Sequence, residues 1–109
     1  MADNKQIVIL GTELKLNVSI NPMGDVHASE YNFTVDFFCT TKKVKSYAKE
    51  DLLPIDDDNF IALLDTTDVG AGELKCRITA YIPDEDFADD GTRTEVLDII
   101  TDYNIVKSL

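Results

Sequence analysis

The sequence has little that would support a closed metal site, covalent catalysis or membrane insertion. Its 109 residues include one histidine, two cysteines and no tryptophan. A structural zinc site takes four Cys or His ligands, which this chain does not contain. No apolar run approaches the roughly 20 residues that span a bilayer. We therefore expect no metal cofactor and no membrane partner.

Positive charge is also scarce. The chain has 10 Lys and Arg against 21 Asp and Glu, a net charge of −11. Such a field repels phosphate backbones, so we expect no nucleic-acid partner. Only four apolar residues, 7–10, follow the polar start, which is too short for the core of a signal peptide. We therefore expect the protein to be cytoplasmic when it is synthesised.

The composition is that of one folded domain. Hydrophobic residues make up 44% of the chain and charged residues 28%, a typical balance for a globular protein. There is no internal repeat and no shift in composition that would mark a second domain. We predict a single domain over residues 1–109, with residues 1–5 and 107–109 frayed.

Three segments alternate apolar and polar residues with a period of two, which is typical of strands with one buried face. They are residues 13–20, 32–39 and 73–82. The predicted inward side chains are Leu14, Leu16, Val18, Ile20, Phe33, Val35, Phe37, Cys39, Leu74, Cys76, Ile78, Ala80 and Ile82.

Shorter apolar runs predict further strands at residues 6–10, 59–64, 95–101 and 103–106. Residues 59–64 lack clean alternation, which suggests burial on both faces. Edge strands are expected at residues 42–46, guarded by Lys42, Lys43 and Lys45, and at residues 52–55. Helix is limited to single turns within residues 46–51 and 65–69.

Turn signals lie at residues 21–24, 56–59, 70–72 and 83–91. They recur at about ten-residue spacing, as in sandwiches and barrels. We predict an all-β fold, an Ig-like antiparallel β-sandwich of about seven to nine strands.

The candidate catalytic and thiol residues predict no active site. His27 lies in a polar loop without a nucleophile motif, so we interpret it as an exposed loop residue and assign no catalytic residue. Cys39 and Cys76 both fall on inward positions. A bridge between the two sheets is one arrangement, but a reducing compartment favours two free core thiols.

Two acidic loops are the candidate ligand sites. Asp84, Asp86 and Glu95 match the first, third and twelfth positions of a calcium-binding loop, but Ala88 and Asp89 break that pattern at its fifth and sixth positions. Asp56, Asp57 and Asp58 are typical of a tight hairpin turn. We favour solvated loops for both clusters.

The second half carries a recognisable series of segments at residues 59–66, 70–74, 82–87 and 90–96. This series resembles the small Ig-like domains of phage and prophage tail, baseplate or fibre-associated proteins from gut bacteria. It is distantly similar to the N-terminal domains of baseplate upper proteins. Ala88 stands where that family often has proline after the Asp-Phe pair. The resemblance implies a structural role and carries over no catalytic or ligand residue.

The resemblance implies a non-enzymatic assembly module that acts through protein contacts, with itself or with other tail or baseplate subunits. Such a protein would be incorporated into a virion or tail-like particle. Residues 6–10, apolar and uncharged, are the predicted adhesive edge, and Val8 is its central residue. Phe87 is predicted to close one end of the sandwich. The alternative is an accessory domain that binds glycan or calcium through the acidic loops.

Overall fold

The fold is described by a computed structural model that covers residues 5–20, 27–40, 43–87 and 91–109. Eight strands and three single-turn 3-10 helices occur in these ranges. The strands are β1 (Gln6–Ile9), β2 (Glu13–Ser19), β3 (Asn32–Phe38), β4 (Val44–Ala48), β5 (Leu53–Pro54), β6 (Asn59–Asp65), β7 (Gly72–Pro83) and β8 (Thr92–Val106). The 3-10 turns are Ala28–Glu30, Lys49–Asp51 and Thr66–Asp68.

The strands form two sheets. One has the order β1-β8-β7-β3-β4 and the other the order β2-β6-β5. Placing β2, β5 and β6 in one sheet and β3, β7 and β8 in the other is the division found in Ig-like sandwiches. The predicted all-β sandwich is confirmed. The pairing is antiparallel except between β1 and β8, which run parallel.

The core lies between the two sheets and is made by the alternating residues. Of the predicted inward side chains, all but Leu14 are buried, and Leu14 packs against the core while partly exposed. Phe33 packs edge-on to Phe60 with 5.0 Å between ring centroids. The Tyr47 hydroxyl donates a hydrogen bond to the Leu63 carbonyl at 2.6 Å, which ties β4 to β6 across the sandwich. Alternation therefore located the core correctly.

Two strand predictions were wrong in detail. β6 is buried on one face only, since Phe60, Ala62 and Leu64 are buried while Leu63 is 55% exposed. The two runs at residues 95–101 and 103–106 belong to one strand, β8. A bulge separates them, where the Thr101 hydroxyl donates to the Leu74 carbonyl and accepts from the Tyr103 N–H. Both halves of β8 remain in the sheet because side-chain bonds hold the bulge.

The turns and helical turns largely follow the predictions. β4 and β5 are edge strands, and the turns at residues 49–51 and 66–68 fall inside the predicted segments. Gly72 has φ 134°, and a Cβ there would approach the Thr40 hydroxyl oxygen at 2.8 Å, which explains the glycine. The predicted turn at residues 21–24 and the predicted guard Lys42 lie outside the described residues. No helix in the described ranges has the length and apolar character needed to cross a membrane.

Phe87 does not close the end of the sandwich. Its side chain is 49% exposed. The Phe87 N–H donates to the Asp84 carbonyl and its own carbonyl accepts from the Gly91 N–H. The loop thus forms its own turn beyond the end of β7, and the ring projects into solvent instead of packing under the strands.

Candidate functional site

His27 pairs with an acidic turn instead of a nucleophile. Its Nδ1 lies 3.2 Å from the Asp58 carboxylate, and its side chain is 53% exposed. This hydrogen bond and the negative charge of Asp58 raise the pKa of His27. The hydroxyl of Ser29 donates to Asp57 at 3.2 Å. The arrangement joins the first 3-10 turn to the β5–β6 turn, and the nearby Ser29 hydroxyl is engaged by Asp57.

The β5–β6 turn is organised by its own carboxylates. The Asp56 side chain accepts hydrogen bonds from the backbone N–H groups of Asp58 and Asn59, both at 2.9 Å. These bonds and those from the Asn59 amide lower the pKa of Asp56. Asp58 also accepts from the Ala28 N–H. Asp56 serves the turn geometry, as Asx residues commonly do, whereas Asp57 and Asp58 bond to residues 27–29.

In the β7–β8 loop, the carboxylate at the first position of the calcium pattern is engaged by the protein. Asp84 accepts from the Asp86 N–H at 3.1 Å, and its second oxygen lies 3.3 Å from the Arg93 Nε. Glu95 accepts from the Arg93 Nη1 at 2.8 Å. Ala88, Asp89 and Asp90 lie outside the described residues. Within the ranges that the structure covers, no three Asp, Glu, His or Cys side chains are grouped to hold a metal ion.

The two thiols are free and buried, and they belong to the same sheet. Cys76 is in β7, and Cys39 directly follows the neighbouring strand β3. The sheet-to-sheet bridge considered from the sequence is therefore wrong, because alternation assigns a face of a strand and not a sheet. Burial raises the pKa of Cys76 to about 12 and also raises the pKa of Cys39. Both side chains act as core residues.

The predicted adhesive edge is a sheet edge, since β1 ends the order of the five-stranded sheet. Its neighbouring side chains point in opposite directions. Val8 is 8% exposed and pairs with the buried Ile105. Ile7 is 58% exposed and Ile9 38% exposed on the other face. Any contact made by this face of β1 therefore uses Ile7 and Ile9, and Val8 belongs to the core.

The same outer face continues onto β8. Val96 and Ile100 are 58% and 62% exposed, and Asp98 lies between them. Asp98 accepts two hydrogen bonds from Arg77, from Nε at 2.7 Å and from Nη2 at 3.0 Å. This pairing fixes the acid and lowers its pKa. Val96 therefore lies on one side of the Arg77–Asp98 ion pair, and Ile100 lies on the other side.

A groove opens along one side of the sandwich, between β2 and the middle of β8. Its volume is about 370 Å³. The side chains that line it include Leu16, Val18, Phe37, Cys76, Ile99 and Tyr103. Ile99 pairs with Cys76 on the inward side of β8, yet it is 41% exposed. The two sheets are therefore not closed over the core at this point.

The exposed apolar face of β8 was not predicted from the sequence. Residues 96, 97, 99 and 100 are all apolar, so both faces of this strand carry apolar side chains. In a strand covered on one face only, this pattern leaves apolar groups in water. The signal was present in the run at residues 95–101, but the run did not show which face would be covered.

Comparisons with protein-family models, with curated proteins and with solved structures give no significant match.

Proposed function

We propose that this domain is a non-enzymatic assembly module that acts through protein–protein contacts, of the kind found in phage and prophage tails or baseplates. The observation that carries the proposal is that three apolar side chains, Ile7, Val96 and Ile100, are exposed on the outer face of the five-stranded sheet. Exposed apolar groups on one face can form an interaction surface. The expected partners are further copies of this chain or other subunits of the same particle.

The polar groups of the loops support a structural role. His27 and Ser29 bond to Asp58 and Asp57, which joins two separate loops, while Asp56 bonds within its own turn. We assign recognition to the outer face and edge of the five-stranded sheet.

Calcium or glycan binding through the acidic loops is the competing function. To bind such a ligand, the Asp84 carboxylate would have to give up its ion pair with Arg93 and the hydrogen bond that it accepts from the Asp86 N–H. Breaking a formed ion pair reduces the net gain from binding a cation. The assembly proposal needs no such exchange, because Ile7, Val96 and Ile100 are already exposed.

The test is the solution mass by light scattering at two protein concentrations, with calcium and with a chelator. We expect an oligomer, fixed or concentration-dependent, that is indifferent to calcium. Ile7→Lys should reduce its mass, whereas the matched variant Leu63→Lys should not, because Leu63 is similarly exposed on the other sheet. A monomer at both concentrations whose melting temperature rises only with calcium would contradict the proposal and support the acidic-loop site.

A further inference from the structure

The middle of β8 has a neighbouring strand on one side only. β7 pairs with β8 along nearly its whole length. On the opposite side β1 pairs with β8 from Tyr103 to Val106, and no other described strand adjoins it there. Within the part of the chain that the structure describes, residues 94–100 therefore have no strand partner on that side. We call these residues the open edge of β8.

The open edge lacks three common protections of an exposed strand, which are shortness, lysine and proline. It does carry two acidic residues, Glu95 and Asp98, and a bulge follows it. Lys43 directly precedes β4, and Lys45 is the second residue of that strand. β5 is two residues long and contains Pro54, and β1 is four residues long. The open edge is seven residues long and contains no lysine, proline or glycine. This length is about that of a typical strand in a sheet.

The groove lies beside this edge. A strand that paired with residues 94–100 would continue the line of β1 along β8. Its inward side chains would lie next to Leu97 and Ile99 and would cover the groove between β8 and β2. Its outward side chains would lie next to Val96 and Ile100. An added strand would thus bury apolar groups on both faces of β8.

We infer that the open edge of β8 binds an extended segment of a protein partner in which apolar residues alternate with lysine or arginine. The apolar residues fill the groove, and the basic residues lie on the outer face. The open edge contains no base, and its two acids are each paired with an arginine outside it, Glu95 with Arg93 and Asp98 with Arg77. The attraction for a basic segment therefore comes from the net charge of the chain, which is −11. The same charge disfavours pairing of the open edge with the open edge of a second copy. The inference rests on the proposed assembly role and names its partner.

The probe is a nine-residue synthetic peptide that alternates valine with lysine and threonine. Hydrogen–deuterium exchange is followed by mass spectrometry on the intact 109-residue protein. At a peptide concentration of about ten times Kd, the edge-facing amides of residues 94–100 should exchange about tenfold more slowly. The amides of β4 should not change. Protection should weaken as salt is raised, because the attraction is partly electrostatic.

Three controls test separately the charge of the segment, its pairing as a strand and the contribution of the groove. A peptide with glutamate in place of lysine tests charge, and a peptide with a central proline tests strand pairing. The variant Ile99→Arg should remove protection, whereas Leu63→Arg should keep it. Both residues are exposed, so both variants should fold, which a thermal melt will check.

Several outcomes would overturn the inference. They are protection on β2 or β4 only, equal protection by the proline peptide, or no protection at any concentration. Concentration-dependent protection of residues 94–100 without peptide would show that a second copy occupies the edge. An oligomer in light scattering together with unprotected residues 94–100 would overturn this inference alone. A calcium-responsive monomer would overturn the assembly role itself.

Discussion

Replacing neighbouring residues of β1 by lysine should have very different effects on stability. Val8 is 8% exposed and pairs with Ile105, which is 1% exposed, while Ile7 is 58% exposed. Burying a valine side chain contributes about 1.5–3 kcal/mol. Val8→Lys loses that contribution and either desolvates an amine or detaches β1 from Ile105. We expect Val8→Lys to lower the free energy of unfolding by about 3 kcal/mol.

Ile7→Lys is the matched variant, with the same new side chain one position earlier. Its ammonium group remains in water, so the free energy of unfolding should change by less than about 0.5 kcal/mol. Urea unfolding followed by far-UV circular dichroism measures both. With a slope near 1.5 kcal/mol per molar urea, the midpoint should fall by about 2 M for Val8→Lys and hardly at all for Ile7→Lys.

This comparison tests the register of β1 directly, because a shift of one residue would exchange the two faces. Equal losses, or a greater loss for Ile7→Lys, would show that β1 is not placed as described. The result also decides how the adhesive edge can be tested. A change at Val8 affects folding, so a lower oligomer mass in that variant would say nothing about the outer face.

Two further predictions concern the loops. Phe87→Ala should lower the free energy of unfolding by only about 1 kcal/mol, because half of the side chain is exposed, whereas Phe33→Ala should cost about 3–5 kcal/mol. Similar losses in urea unfolding would mean that Phe87 is buried after all. For His27, the bond to Asp58 raises the pKa of the folded state above 6.5, so its stabilisation is complete below pH 6.5 and is lost as pH rises through the raised pKa. The melting temperature of the wild-type protein should therefore exceed that of His27→Gln below pH 6.5, and the difference should disappear as pH rises through the raised pKa. A difference independent of pH would contradict the pairing.

The sandwich could be predicted because a period of two determines which side chains share a face. That rule placed Phe33, Val35 and Phe37 in the core and located β2 and β7 within a residue or two. It could not distinguish one sheet from the other. A bridge between the sheets through Cys39 and Cys76 therefore stayed an alternative to two free thiols, although Cys76 lies in β7 and Cys39 directly follows the neighbouring strand β3 of the same sheet.

The candidate interaction surface was only partly predictable. The edge position of residues 6–10 follows from the sequence, but the parallel pairing of β1 with β8 depends on contacts between opposite ends of the chain. The prediction that Phe87 is buried was wrong for a local reason. The backbone of Phe87 is hydrogen-bonded to Asp84 and Gly91 within its own loop, so the loop is ordered without packing the ring beneath the strands. The open edge follows from the shortness of β1 relative to β8, which no local pattern reveals.

The parallel pairing of β1 and β8 also determines how the domain would respond to mechanical tension. Gln6 begins one strand and Val106 ends the other, and the two strands run side by side in the same direction. A pull on both ends of the chain would act along these strands in opposite senses. The hydrogen bonds between them, including that from the Leu10 N–H to the Val106 carbonyl, would then be loaded together in shear instead of opening one at a time. A domain connected in this way resists extension until the whole terminal pair slides.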